Sequence, residues 1–547
     1  MDLLTLITFL PLAVGLLLLV TGARLPDQAW RWAGLVATVA TFLLSLGLWQ
    51  GFDPAQGGYQ FVRHVPWLPA WGIHWFVGID GMSLLLVLLT TFLMPLVLLG
   101  SWNDVQRAVK PFVFFNLALE TGMLGAFVSL NLFQFYVFWE VMLIPMYFII
   151  GIWGGPRRVY AAVKFFLFTM AGSLPMLVAI LALYVVHAGQ FGAYTFDLIT
   201  PPGGTAPGLL ATLVPVAAGE GVPWWQTQPW LFAAFALAFA VKVPVVPLHT
   251  WLPDAHVEAP TAGSVVLAGV LLKMGTYGFI RFAIPLFPDA AVQAQTLFLV
   301  LAVIGIIYGA LVAMVQTDIK KLVAYSSVSH LAYVMLGLFS FNLLGSAGAL
   351  YQMLGHGLST GALFLLVGMI YERRHTRDIA EFGGLATGMP FYTFAFLVVT
   401  LSSIGLPGLN GFVGEFLVLL GAFGENRWVG ALATSGVILG AVYMLWLVRR
   451  FLFGPLTNQE NAGLPDLSAR EWLVLAPLLV MIVVMGVAPR PFLSRMEPSL
   501  EAALAPLATA RAAAQSRDHE RDFGQILPGV LEDAVVEDAA LEGGVAR

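Results

Sequence analysis

Long apolar runs recur along the whole chain, and they constrain its fold more than any other feature of the sequence. A helix needs about 20 apolar residues to cross the hydrocarbon core of a bilayer, and roughly fourteen runs of this kind are present. Hydrophobic residues make up 59% of the 547 positions and charged residues only 10%, unlike a soluble domain. The sequence therefore predicts an all-α membrane protein with about 14 transmembrane helices. Their predicted centres lie near residues 12, 40, 91, 120, 140, 174, 238, 270, 303, 331, 358, 405, 440 and 479.

Cysteine is absent from the sequence. A chain without cysteine forms no disulfide and supplies no thiolate to a zinc ion or an iron–sulfur cluster. Any redox centre that works with this chain must therefore belong to another chain.

The formal charge of −5 is concentrated in the last part of the chain. Residues 499–547 hold nine acidic residues and four arginines, so that 4 − 9 = −5, and the remainder is balanced. This alanine-rich tail lacks a long apolar run. We predict that it is a polar appendage, either a surface helix or a disordered segment.

Basic residues in the short loops predict the orientation of the chain. Clusters of lysine and arginine mark the cytoplasmic side of membrane proteins. One set of alternating loops holds such clusters: Arg24 and Arg31, Arg107 and Lys110, Arg157 and Arg158, Lys320 and Lys321, Arg373, Arg374 and Arg377, and Arg449 and Arg450. The other set holds only single residues, namely Arg63, Arg281 and Arg427. We expect a multi-pass protein of a plasma membrane, with both termini on the non-cytoplasmic side.

Prolines and glycines interrupt two of the predicted spans. The breaks lie at residues 242–247, in span seven, and at residues 405–411, in span twelve. Transporters often place such breaks in paired positions of two repeats. We therefore predict two inverted five-helix repeats, spans 4–8 and 9–13. The predicted divisions are residues 1–110 for the first three spans, 111–285 and 286–451 for the repeats, 452–498 for the last span, and 499–547 for the tail.

Six ionisable residues fall near the middle of predicted spans. They are Glu140, Lys242, Lys273, His330, His356 and Glu415. A charged side chain at the bilayer centre costs about 2.5–3.5 kcal/mol on insertion scales, so a function is the first interpretation. Because burial and neighbouring charges bring such groups toward neutral pKa values, the six together suit a proton relay.

Each of these residues also has a structural interpretation. Glu140 and Lys242 could form a static buried ion pair, and Lys273 could have a packing or snorkelling role. The two histidines could form hydrogen bonds between helices. Three further charged residues are less central: we expect Lys164 to snorkel to the surface, Asp80 to cap a helix, and Glu120 to be a seventh buried acid.

A polar segment follows the first break. Its Asp254, His256 and Glu258 are predicted to lie in a loop, where they could collect protons or cap the next helix. A metal site is the less favoured alternative because the segment lacks a spaced ligand pair on a defined helix. We therefore predict no metal-binding or cofactor-binding residue in this chain.

Three segments carry a close resemblance to a known family. They are residues 138–147 (FWEVMLIPMY), residues 242–261, which contain HTWLPDAH, and residues 326–337. These segments resemble the proton-translocating antiporter-like membrane chains of respiratory complex I, over spans four to thirteen. The resemblance is strongest to the subunit M family of bacterial NADH:quinone oxidoreductase, the counterpart of mitochondrial subunit 4. The surroundings of Glu140 and the glutamate at position 415 favour that family over the other two antiporter-like families.

The resemblance implies a fourteen-helix chain with two half-channels and a central polar axis. It implies that Glu140 pairs with Lys242, that Lys273 links the two halves, and that Glu415 serves the far half-channel. It places NADH, FMN, the iron–sulfur clusters and quinone in partner subunits, and the adjacent antiporter-like chains beside this one in a bacterial inner membrane. No dinucleotide fingerprint is present, and no nucleic-acid partner is expected.

Two other functions share many of these features. A subunit of a multi-subunit Na⁺/H⁺ antiporter would have the same helices and much of the same axis. A scaffold without transport would use the buried charges only to organise helix packing.

Overall fold

The computed structural model describes residues 2–22, 24–219 and 221–542, with side chains up to Ser516. Within these residues the chain is overwhelmingly helical. Helices α1 to α9 are Leu3–Thr21, Asp27–Gly51, Gly81–Gly100, Val109–Val128, Leu132–Val141, Leu143–Trp153, Arg158–Phe191, Gln228–Lys242 and Trp251–Glu258. Helices α10 to α12 are Thr261–Val266, Leu272–Gly278 and Ile284–Leu286, which form one continuous rod with two π-helical segments, Leu267–Leu271 and Phe279–Ala283. Helices α13 to α21 are Pro288–Met314, Ile319–Phe339, Leu343–Arg374, Leu385–Gly388, Pro390–Ser403, Asn410–Glu425, Arg427–Phe451, Ala469–Val487 and Arg490–Glu542.

Twelve helical segments of the described chain are long and apolar enough to cross a membrane. Two shorter apolar helices, α8 and α17, end at the two predicted breaks. Thirteen of the fourteen predicted centres fall inside one of these helices, and the centre near 405 falls between α17 and α18. The total of fourteen spans and the inverted repeats stay predictions.

Proline explains the first break. Helix α8 ends at Lys242, and neither Pro244 nor Pro247 has a backbone N–H to continue the helical ladder. Helix α9 begins only at Trp251, whose indole nitrogen donates to the Val241 carbonyl at 2.9 Å. This bond satisfies one of the carbonyl groups that the end of α8 leaves without a helical partner.

The second break depends on glycine as well as proline. Between α17 and α18, Gly405 and Gly408 have positive φ angles of 72° and 92°, which residues with a Cβ rarely adopt. The Asn410 amide then donates to the Gly355 carbonyl at 3.2 Å. A side-chain hydrogen bond therefore connects this break to α15.

A third interruption lies directly after Glu140. Helix α5 ends at Val141 and α6 begins at Leu143. Pro145 cannot donate to the Val141 carbonyl, so the normal helical bond is missing at that point. The apolar run in this region predicted one unbroken span.

The two most enclosed spans of the described chain both carry ionisable residues. The segment Thr261–Leu286 and helix α15 are buried along their whole apolar windows, whereas only a third of the corresponding windows of α1, α2 and α19 is buried. Two helices that carry ionisable residues are thus enclosed by other helices of the same chain. The peripheral helices expose large apolar side chains that suit contact with lipid or with other membrane chains.

One element was not included in the all-α prediction. Strands β1 (Gln60–Leu68) and β2 (Ile73–Ile79) form an antiparallel hairpin between the second and third spans. The turn between them contains Gly72, whose φ is 65°. The hairpin continues into the first residues of α3, where Asp80 is the N-cap.

The tail begins as a surface-packed helix. Helix α21 starts at Arg490, so the predicted division between residues 498 and 499 falls inside it. Its Leu500 and Leu507 are buried, and Arg511 forms an ion pair with Glu425 at 2.7 Å. The backbone is helical to Glu542, as the surface-helix alternative predicts. The side chains of the acidic residues from Asp518 onward, and residues 543–547, lie outside the described residues.

Candidate functional site

A row of buried ionisable side chains crosses the centre of the bundle. It starts at Lys273, on α11, which is fully buried between the two π-helical segments. The Lys273 Nζ atom lies 2.6 Å from His356 Nδ1 and also donates to the Ala268 carbonyl. Because an ammonium group can only donate, His356 Nδ1 accepts when Lys273 carries its proton.

Glycines allow His356 to approach this closely. Gly357 follows it on α15, and a Cβ atom at Gly357 would lie 2.9 Å from the Gly269 carbonyl oxygen. Helix α15 therefore packs against the π-helical segment before Lys273 at a distance that only a glycine permits.

The row continues from His356 to Glu415. The rings of His356 and His330 have centroids 5.8 Å apart, and His330 Nδ1 lies 2.9 Å from Glu415 Oε1. The Gln352 amide donates to the same oxygen at 3.1 Å. Four of the six predicted residues are thus neighbours in space, in the order Lys273, His356, His330 and Glu415. The sequence analysis did not determine which histidine comes first.

Four different helical segments supply this row. Lys273 lies on α11, His330 on α14, His356 on α15, and Glu415 on α18 just after the second break. The break ends near Asn410, so Glu415 enters the core on the second turn of a new helix. All four side chains are buried.

The remaining two predicted residues are not in hydrogen-bonding contact. Lys242 Nζ lies over the Trp139 ring, 4.9 Å from its centroid, and 6.0 Å from that of Phe165. Among the described residues it has no hydrogen-bond partner, and no carboxylate oxygen lies within 4.0 Å of it. Glu140 is half-buried, and its Oε1 atom also lacks a partner within the described chain. The predicted closed ion pair is therefore open in this structure, although the two charges still interact electrostatically.

His256 lies near two basic residues, Lys273 and Lys320. The sequence-based prediction placed it in a loop and did not include it in the proton relay. It is fully buried on α9, stacked on Phe364 with ring centroids 4.7 Å apart. Neither ring nitrogen has a hydrogen-bond partner in the part of the chain that the structure describes. The ring is close enough to Lys273 and Lys320 to interact with both electrostatically. The only sequence signal for His256 was its position four residues before Pro260, which precedes the start of the next helix.

The segment that contains His256 is a helix rather than the predicted loop. Its two acids face basic residues: both form ion pairs with the Arg157 side chain, and Asp254 also contacts Lys164 Nζ at 2.7 Å. These carboxylates do not converge on His256 as metal ligands would. Lys164 donates to Asp254 and to the Thr250 carbonyl, and its snorkelling stays a prediction.

A polar cavity lies beside the end of α9, the helix that carries His256, on the side with the basic loops. It has a volume of about 160 Å³, and its lining includes Asp104, Glu258, Lys320 and Arg377. Lys320 is buried and donates to the Ala259 carbonyl at 2.5 Å. The cavity is large enough to hold several water molecules.

The two less central acids have separate roles. Asp80 caps α3 by accepting from the Met82 and Ser83 backbone N–H groups, and it forms a buried ion pair with Arg281 at 2.6 Å. The helix-cap prediction is confirmed. Glu120 is fully buried on α4, and neither of its oxygens has a hydrogen-bond partner among the described residues. The prediction that Glu120 is a further buried ionisable residue is confirmed.

Known proteins share this architecture. Residues 129–440 match the family described as NADH:quinone oxidoreductase/Mrp antiporter, TM. NADH-quinone oxidoreductase subunit M of Rhodobacter capsulatus is 49% identical over 506 residues, which are 91% of this chain and 96% of that protein. NADH-ubiquinone oxidoreductase chain 4 of Arabidopsis thaliana is 45% identical over 471 residues, 86% of this chain and 90% of that one.

A solved structure agrees with these sequence relatives. A chain of respiratory complex I from Thermus thermophilus, solved with bound NADH, superposes with a TM-score of 0.81 at 36% identity. The match covers 92% of this chain and 99% of the Thermus chain. The family match, the near-complete coverage of the relatives and the shared fold agree. The chain belongs to the NADH:quinone oxidoreductase/Mrp antiporter family of membrane subunits, and within it to the group that contains subunit M of the bacterial NADH-quinone oxidoreductases.

Proposed function

We propose that this chain is a membrane subunit of a proton-pumping NADH:quinone oxidoreductase and that it moves protons along the buried row. The observation that carries the proposal is the row of neighbouring side chains from Lys273 through His356 and His330 to Glu415, with a hydrogen bond at each end of the row. Each member exists in two protonation states, and each has a neighbour that can take or give a proton. A static packing role would not require four titratable groups in succession away from water.

The chemistry of the row suits short proton transfers. Lys273 Nζ and His356 Nδ1 are within direct transfer distance, as are His330 Nδ1 and Glu415 Oε1. The separation between the two histidine rings requires a bridging water or a ring rotation. Glu140 and Lys242 form the other end of the proposed axis. There, closing of the ion pair would favour the charged lysine, and opening would favour loss of its proton.

The proton supply in this proposal comes from the side with the basic loops. The cavity beside Lys320 would hold water, and His256 would carry protons from it toward Lys273. The positive-inside rule makes this side cytoplasmic, so both termini would face outward from a bacterial inner membrane.

The redox chemistry would take place in partner subunits. Because the chain lacks cysteine, it supplies no iron–sulfur ligand, and NADH, FMN and quinone would bind elsewhere in the complex. The chain would act by coupling its proton steps to quinone reduction at a distance. Its neighbours would be the other membrane subunits, including the adjacent antiporter-like chains.

The test is the number of protons pumped per NADH in inside-out vesicles that contain the Glu415→Gln complex. Gln keeps the size of the side chain but cannot carry a proton, so we expect the contribution of this chain to be lost. Glu425→Gln, on the same helix but at the surface ion pair with Arg511, is the matched control. A normal proton yield from an assembled Glu415→Gln complex would contradict the relay and favour the scaffold.

The same vesicles distinguish the Na⁺/H⁺ antiporter alternative. Proton movement by the proposed relay depends on NADH and is unaffected by replacing Na⁺ with K⁺. Proton movement that needs a Na⁺ gradient and proceeds without NADH would favour the antiporter function instead.

A further inference from the structure

Two histidines and one aspartate form a second polar cluster, far in sequence from the row. His64 lies on β1, His74 on β2, and Asp197 on the segment that follows α7. His64 Nε2 is 3.2 Å and His74 Nδ1 is 2.7 Å from the same oxygen, Asp197 Oδ2. The three potential ligand atoms lie within 4.8 Å of one another, and the two imidazole rings have centroids 4.4 Å apart.

The carboxylate is held so that one oxygen faces the histidines. The Asp197 side chain is only 3% exposed, and the Asn131 amide donates to its other oxygen, Oδ1, at 2.8 Å. The Asp197 backbone N–H donates to Thr195 Oγ1 at 3.0 Å. A hydrogen bond to the non-ligating oxygen is the usual outer-shell arrangement that orients a carboxylate ligand toward a metal.

The histidines leave one side of the cluster accessible. Their side chains are 25% and 17% exposed, and the edge of His64 packs against the Phe76 ring. A cation could therefore reach the cluster from solvent, with a water molecule completing its coordination.

We propose that His64 Nε2, His74 Nδ1 and Asp197 Oδ2 bind a divalent transition-metal ion of the Zn²⁺ class. Imidazole nitrogen and carboxylate oxygen are zinc ligands, and bonds of about 2.0–2.1 Å to a tetrahedral ion place ligand atoms roughly 3.3 Å apart. The distance from His64 Nε2 to Asp197 Oδ2, 3.2 Å, lies close to that separation. The distance from His74 Nδ1, 2.7 Å, is that of a hydrogen bond, which metal binding would replace and lengthen. The mixed nitrogen and oxygen set disfavours Ca²⁺ and Mg²⁺, which prefer oxygen ligands.

The position of this site connects it to the proposed proton axis. Asn131 is the N-cap of α5, where its Oδ1 atom accepts from the Gln134 backbone N–H at 3.1 Å. Glu140 lies near the other end of the same short helix. A bound metal would thus fasten the hairpin and the Asp197 segment to the first turn of the helix that carries Glu140.

The test uses the purified, assembled complex after removal of metals with EDTA. Zn²⁺ is added, excess is removed, and bound zinc is counted and examined by X-ray absorption at the zinc edge, which the iron–sulfur clusters do not obscure. We expect one zinc per complex more in the wild type than in His64→Gln or His74→Gln, with two imidazoles in its first coordination shell. Asn131→Ser removes the amide that donates to Asp197 but keeps an N-cap residue for α5, and it should lower the zinc affinity by roughly 10- to 100-fold.

Controls separate zinc binding from loss of assembly. His375→Asn changes an exposed histidine that is remote in sequence from the cluster, and this variant should keep the full zinc content. Asn is chosen because it tolerates the left-handed backbone conformation of residue 375. Equal zinc in the wild type and in an assembled His64→Gln/His74→Gln complex would overturn the proposal and leave the cluster as a hydrogen-bonded clamp. If the variants do not assemble, the wild-type spectrum decides, because zinc without histidine ligands contradicts the site.

Discussion

The two parts of the ionisable axis differ in how their members meet. From Lys273 to Glu415, side chains on four helical segments form a row with two hydrogen bonds. At the other end, Glu140 and Lys242 stand apart, and the lysine faces the Trp139 ring instead of a carboxylate. A connected row can pass a proton with little rearrangement, whereas an open pair must move before its charges meet. We infer that the movement controlling proton transfer takes place at the Glu140–Lys242 pair, and that protons are conducted along the row from Lys273 to Glu415.

The local backbone supports this division. The open pair is flanked by two interruptions, the proline break after Lys242 and the gap between α5 and α6 after Glu140. Missing helical bonds lower the cost of small helix movements. Lys273 also lies beside non-α-helical turns, but its rod is buried along its whole length. Burial on all sides restrains its movement, while Glu140 is half-buried.

The largest effect should follow removal of the first member of the row. In Lys273→Met the side chain keeps a similar length but has no proton to transfer, so transfer along the row should slow by roughly 100-fold or more. The proton yield per NADH should then lose the whole contribution of this chain. NADH-driven acidification of inside-out vesicles measures this loss.

Lys321→Met is the control for this variant, because Lys321 lies at the more accessible start of α14. Its proton yield should match the wild type. If Lys273→Met pumps normally in an assembled complex, the row is a packing feature and the contrast between its connected and open parts has no functional meaning.

A smaller effect is expected from His256→Gln. This change removes the only titratable group that we place between the polar cavity and Lys273, while the amide keeps a polar side chain in the buried position. Proton delivery should slow, and NADH turnover should fall by roughly 10-fold at an unchanged number of protons per NADH. Steady-state NADH oxidation measured together with vesicle acidification separates these two quantities.

The exposed His375→Asn variant provides the comparison for a histidine change outside the axis. Turnover unchanged in His256→Gln would show that protons reach Lys273 by another route. A lower proton yield at unchanged turnover would mean that His256 belongs to the row itself.

The smallest effect concerns the open pair. Trp139→Leu removes the ring under Lys242, a cation–π interaction worth about 0.5–2 kcal/mol. The equilibrium should then shift toward the closed Glu140–Lys242 pair by roughly 2- to 30-fold, and turnover should fall by a few-fold. A structure of the variant complex should place Lys242 Nζ within ion-pair distance of the Glu140 carboxylate.

Phe165→Leu supplies a graded comparison, because its ring is farther from Lys242 than the Trp139 ring. It should change turnover less than Trp139→Leu. A Lys242 that stays open in Trp139→Leu would show that helix geometry, rather than the aromatic ring, keeps the pair apart.

Much of the architecture could be predicted because it depends on local properties of the sequence. Apolar runs fix the helices, since a bilayer tolerates few other spanning structures. Prolines fix the first break, proline and glycines together fix the second, and Asp80 was identifiable as a cap from its position before an apolar run. The hairpin was missed because its strands lack a regular alternation of buried and exposed residues: β1 is half-exposed to exposed along its length, whereas β2 is mostly buried.

The site was only partly predictable for a different reason. Charged residues inside apolar runs are visible in the sequence, so all six members of the proposed axis could be selected. Their contacts were not visible, because His330 and Glu415 are 85 residues apart and Lys273 and His356 are 83 residues apart. The cluster of His64, His74 and Asp197 had no signal at all, since its members lie up to 133 residues apart and outside the spans.

The sequence by itself determined that this is a multi-helix membrane protein of the complex I antiporter-like type, with ionisable residues inside its spans. Tertiary structure alone decided that four of these residues are neighbours in one order, that Glu140 and Lys242 are apart, and that His256 is buried near Lys273. The physical reason is that the free-energy cost of burying a charged side chain depends on that residue and on the helix that carries it, both of which are visible in the sequence. Which neighbour offsets that cost depends on how distant helices pack, and on where glycines such as Gly357 let them approach.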